Sequence, residues 1–222
     1  MKKAILFVFI MLLLIPFVIT NAQVKFGGKL ALGLSSMSGK SDDESSLIDD
    51  KKPKLGIEIG GVVDYSLFKG VSVEGGLLFA MKGVSQKDKS GDDWVKTNTN
   101  LFYILIPMTG KYTYDFGKLK VYGQFGPQFG IGLAGKYKYS SKRDGDRDSD
   151  SETVEWGTDE EDDNLRRLDV GLTLGLGVIL FENLQAGISI EPGLANISSY
   201  RDDGVKVHNF FFGLSAVYFL GK

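Results

Sequence analysis

The chain has 222 residues, 24% of them charged, no cysteine and a formal charge of −2. The missing cysteine excludes a disulfide framework, a thiolate metal site and a lipid-anchored lipoprotein, which needs a Cys at its mature N-terminus. The weakly acidic balance excludes nucleic acid as a natural partner, because a phosphate backbone is held by an excess of Lys and Arg.

Residues 1–22 have the plan of a cleavable signal peptide. Lys2 and Lys3 are a positive n-region, Ala4 to Ile19 an apolar stretch, and Thr20-Asn21-Ala22 a small-residue cleavage site. The mature domain is then residues 23–222. It contains no apolar run of the roughly 18 residues that a transmembrane helix requires. A mean hydropathy near zero also fits a membrane β-barrel, in which only alternate residues face lipid.

Eight strands are predicted, at about 24–36, 55–66, 71–83, 100–114, 119–134, 167–180, 184–194 and 206–219. Each can cross a bilayer, which takes about 9–11 tilted residues. The connections alternate in kind. Long polar loops follow the odd strands: Met37 to Lys54, Val84 to Thr99, Gly135 to Arg166 and Ala195 to Val205. Tight turns follow the even ones, at Phe68-Lys69-Gly70, Asp115 to Lys118 and Glu182-Asn183. Long loops on one side and short turns on the other is the plan of bacterial outer-membrane barrels.

Successive side chains of a strand point to opposite sides, so each strand has two faces. One face is apolar throughout, as in Leu55, Ile57, Ile59, Gly61, Val63 and Tyr65, or Phe210, Phe212, Leu214, Ala216 and Tyr218. No Lys, Arg, Asp or Glu falls on it. The other face mixes glycine with ions of both signs: Lys25, Lys29, Glu58, Asp64, Glu74, Lys82, Lys111, Asp169 and Glu191. A lipid-facing Lys or Arg at mid-depth costs about 2–4 kcal/mol, so the apolar faces are assigned to lipid and the ionic faces to a paired lumen network. A soluble barrel would invert that assignment. Aromatics gather near the two ends. Tyr65, Phe68, Tyr112, Tyr114, Phe116, Phe181, Tyr218 and Phe219 lie at the short turns, and Phe79, Phe102, Tyr137 and Tyr139 at the other end. Two such belts are expected at membrane interfaces.

The segment from Tyr103 through Pro107 and Lys111 to Tyr112 resembles a recurrent strand of the PorT-like, porin-family small barrels of Bacteroidota-type outer membranes. Gly126-Pro127-Gln128-Phe129-Gly130 and Gly193-Leu194-Ala195-Asn196-Ile197 resemble it too. That family usually carries an acidic residue two positions before the Pro. Here Leu105 stands there, which leaves the partner of Lys111 unassigned. The resemblance implies an integral outer-membrane protein. Some relatives serve secretion or gliding machinery, and no specific substrate is implied.

Two constellations carry other chemistry. Asp144, Asp146, Asp148, Asp150, Glu152 and Glu155 fall at positions 1, 3, 5, 7, 9 and 12 of a calcium-loop spacing, with Ser149 where such loops have Gly. The bland reading is a solvated acidic loop, like Asp42 to Asp50. His208 lies near Ser198, Ser199 and Asp202, the residue types of an outer-membrane lipid hydrolase. It falls on the lipid-facing frame, and no nucleophile motif surrounds either serine.

The expectation is an all-β, eight-stranded antiparallel up-and-down transmembrane β-barrel in the outer membrane of a Gram-negative bacterium. Short turns would be periplasmic and long loops extracellular, with an acidic surface loop at 135–166. No cofactor and no enzymatic activity are expected. The expected role is structural or interactive, through membrane lipid, an envelope or secretion-complex protein, and divalent cations at the acidic loops. The lumen would be plugged rather than open. The alternatives are a narrow channel and a lipid hydrolase.

Overall fold

The computed structural model describes residues 24–40, 51–90, 93–117, 119–143, 146–159, 162–200 and 204–220. The signal-peptide segment, Asp42 to Asp50, Asp144 and Asp202 lie outside them. Nine strands follow in chain order: β1 (Val24–Lys40), β2 (Lys51–Phe68), β3 (Val71–Ser90), β4 (Asp93–Asp115), β5 (Lys120–Arg143), β6 (Asp146–Thr153), β7 (Leu168–Leu180), β8 (Leu184–Pro192) and β9 (Lys206–Leu220). Eight of them close a ring through antiparallel pairs, running β1, β2, β3, β4, β5, β7, β8, β9 and back to β1. The ninth, β6, pairs with the last third of β5 and, among the described residues, with no other strand. Closure removes every free strand edge at the level of the ring.

The ring obeys the two-residue alternation. Leu32, Leu77, Leu176, Leu214 and Phe125 are exposed on the outside, while Glu58, Lys82, Lys111 and Glu191 are buried inside. The short turns need special backbone. Gly70 and Gly117 have φ of 78° and 85°, and Phe181 and Glu182 adopt 52° and 65°. The left-handed region matches the twist of a tight hairpin.

Three expectations are corrected. Val84 to Thr99 is not a loop: β3 and β4 continue as a ladder up to the pair Ser90–Asp93. Most of the acidic loop is likewise the β5–β6 hairpin. Above the membrane both faces of a strand are solvated, so the apolar alternation that marks the spanning part disappears although the ladder continues. Thirdly, Phe219 points inward and is 2% exposed, so it is no interfacial anchor. Tyr137 packs against the inner apolar cluster. Phe79 and Phe102 do stack on the outside, 5.9 Å between centroids.

Candidate functional site

The lumen is built by inward positions of all eight strands of the ring. Near the short-turn end, Lys111 of β4 bridges Asp64 of β2 and Glu74 of β3, with its Nζ 2.8 Å from Glu74 Oε2. Ser72 Oγ donates to Asp64 at 3.1 Å. The unassigned partners of Lys111 thus come from β3, beside β4 in the ring, and from β2 beyond it, and Leu105 is free to be apolar. Further up, Glu58 of β2 lies 3.3 Å from Lys29 of β1 and 4.0 Å from Lys82 of β3. Lys82 reaches across to Glu191 of β8 at 3.7 Å. Among the described residues, Asp169 of β7 pairs with no lysine. It accepts from Asn209 Nδ2 at 2.9 Å, and the same amide donates to the Tyr103 hydroxyl at 3.1 Å. Thr173 donates to Gln128 at 2.7 Å.

Three buried lysines therefore face five buried carboxylates. Lys25, the remaining ionic position, lines an open vestibule of about 900 Å³ at the short-turn end. Between Lys82, Gln128, Asp169, Glu191 and Asn209 the space is only about 10 Å³. That is room for one water at most.

Aromatic and aliphatic side chains share the lumen. Phe211 sits 5.9 Å from the Lys82 amine and Phe219 5.4 Å from that of Lys111. A cation over a ring face is attracted by the ring quadrupole, most strongly where water is excluded. Phe219 carries the belt expectation instead, and Phe211 has no assignment in the sequence, because an aromatic on a mixed inner face gives no periodic signal.

A second layer closes the far end. Val154, Leu165 and Ile197 are buried there together with Leu101, Tyr103 and Met37. Backbone bonds hold the covering segments in place: Val154 N–H to Gly135 O at 3.0 Å, Arg166 N–H to Ile197 O at 2.8 Å, and Ile197 N–H to Val207 O at 2.9 Å. Trp156 meets the Tyr103 ring edge-on at 5.8 Å. It lies so close to Gly132 that a Cβ there would stand 2.4 Å from the indole. Asn196, from the quoted glycine-rich motif, staples its own loop by donating to Val205 O and accepting from the Val207 and Ser198 amides. Burial, with Tyr139, Tyr200 and Glu152 nearby, pushes the Tyr137 phenol up to about 12, so it remains neutral in this layer. The available signal was the few apolar residues, Val154, Trp156 and Leu165, stranded in an acidic stretch.

Among the described residues, the calcium spacing does not wrap a point. Residues 146–153 form an extended strand, so Asp146, Asp148, Asp150 and Glu152 line up along one face at about 6.8 Å intervals rather than wrapping a point. Glu155 follows beyond the strand end. Nor do the described members of the hydrolase set come together. His208 pairs with Ser38 on the outward side of β9, whereas Ser198 and Ser199 are buried in the closing layer.

The family model described as outer membrane protein beta-barrel domain matches residues 21–199. No curated protein matches the chain. Among solved structures, Ail, the attachment invasion locus protein of Yersinia pestis, is 15% identical, with 87% of this chain and 99% of that one covered at a TM-score of 0.38. Neisserial surface protein A is 11% identical, with 89% and 98% covered at 0.41. OprG from Pseudomonas aeruginosa is 12% identical, with 91% and 97% covered at 0.39.

Proposed function

The chain belongs to the outer membrane protein beta-barrel domain family, and from that premise we propose that it is a plugged barrel with a structural or interaction role rather than a channel. One observation carries this reading. The ion pairs from Lys29 to Glu191 occupy the lumen at mid-height, with about 10 Å³ left beside them, under a second, apolar layer. A conducting path would have to break buried charge pairs in a low-dielectric interior, which is strongly unfavourable. Purified protein in planar bilayers is expected to give no steady single-channel steps. Reproducible steps that persist across preparations would favour the narrow-channel alternative.

The chain is not read as an enzyme, since the His208 and Ser198 side chains lie on opposite sides of the strand wall. The composition of residues 1–22 supports export by a cleaved signal peptide. N-terminal sequencing of protein from the outer membrane is expected to begin at Gln23, and an intact Met1 would refute cleavage. The PorT-like strand motif supports an accessory role beside a secretion or envelope-assembly complex, with the raised hairpins as the contact surface. Crosslinking in intact cells, with a photoreactive residue at Ser149, is the means of finding that partner. Crosslinks to lipid alone would count against it.

A further inference from the structure

The hairpins that rise above the apolar belt have two chemically opposite faces. Residues paired across an antiparallel ladder project to the same side. Leu101 is buried and pairs with Gly135, so the neighbouring pairs Asn100–Lys136, Asn98–Lys138, Lys96–Ser140 and Trp94–Lys142 point outward. On β3, Lys87 pairs with Lys96 and joins this face, and its amine lies 4.7 Å from the Trp94 ring centre. On β6, Arg147 joins it beside Lys142. The opposite face carries Asp88, Asp148, Asp150 and Glu152, paired with Val95, Ser141, Tyr139 and Tyr137. The charges are thus sorted by side: among the described residues of these hairpin ladders, six cations and no carboxylate look outward.

Sorting of this kind is not needed for solubility, which mixed charges serve as well. Its height is informative. Lys136 stands two residues beyond Ala134, which pairs with lipid-facing Phe102. The basic face therefore begins immediately above the hydrocarbon and continues upward through the level of lipid headgroups. The Lys54 amine reaches the same place, 2.6 Å from Asn100 Oδ1. Burial, and then the nearby Lys96 and Lys138, pull its pKa below the ordinary lysine value.

We propose that this outward lysine face binds the phosphate groups of phosphorylated glycolipid in the outer leaflet and thereby fixes the height and tilt of the barrel. Anionic headgroups attract each juxtamembrane Lys by about fivefold in affinity, so removing three should weaken binding by about 100-fold. The test uses the full chain in a neutral sugar detergent, titrated with bisphosphorylated lipid A, with its dephosphorylated form and with dextran sulfate. Bisphosphorylated lipid A should bind best, and the K96Q/K136Q/K138Q variant should lose about 100-fold of that binding. Arginines at the same three positions should keep it, and D148N/D150N on the other face should leave it unchanged. Equal binding of dephosphorylated lipid A, or wild-type affinity in the glutamine variant, would overturn the proposal. Preference for dextran sulfate would overturn it as well, by assigning the face to a soluble polyanion.

Discussion

Replacing Lys111 with methionine is expected to destabilise the folded barrel by about 3–5 kcal/mol, the usual consequence of removing one partner from a buried ion cluster. Among the described residues, Lys111 is the one cation that bridges Asp64 and Glu74, and all three are almost fully buried. Methionine matches the length of the stem and can still lie against Tyr122 and Phe219, so packing loss is small and electrostatics dominates. What remains is two buried carboxylates facing each other, with the Ser72 hydroxyl donating to Asp64. The measurement is the urea midpoint of the compact, heat-modifiable form in detergent. The triple variant K111M/D64N/E74Q should recover most of the loss, because amides bury at far lower cost than unpaired charges. If K111M alone stayed within about 1 kcal/mol of the parent, the plug would not be ion-paired as described.

Lys111 also shows what a sequence can and cannot reveal. Alternation placed it inside, because a strand with period two has no other place for a charge when its opposite face is Phe102, Ile104, Ile106 and Met108. Its partners are set by register between strands, and no local pattern encodes that Asp64, Glu74 and Lys111 share one level. The same limit applies to Asn209, whose amide joins Asp169 to Tyr103 from strands far apart in the chain. Above the membrane the limit is different. From Val84 to Thr99 both faces are polar, so a continuing ladder reads as a loop. The closing layer was unreadable for a third reason: Val154, Trp156, Leu165 and Ile197 are too few and too scattered to form a periodic pattern, and only the folding-back of two segments gathers them.

Leu214→Arg is the second change expected to have a large effect, about 2–4 kcal/mol of destabilisation in lipid. Leu214 is 66% exposed on β9, between Leu32 of β1 and Ile188 of β8, and well away from both ends of its strand. In water an exposed leucine exchanged for arginine would cost almost nothing, so a large penalty can come only from hydrocarbon around the waist. Depth supplies the control. Leu55 is similarly exposed, at 60%, but sits beside Lys54 at the upper margin, where an arginine can extend to the headgroups, and Leu55→Arg should cost about 0–1 kcal/mol. Refolding into lipid vesicles over a urea series measures both. A pair of small, similar values would mean that the apolar exterior does not meet lipid, and a pair of large ones would mean that packing rather than depth decides the penalty. A steep difference ties the outward leucines to the bilayer and, through the two-residue period, ties the ions on the same strands to the interior.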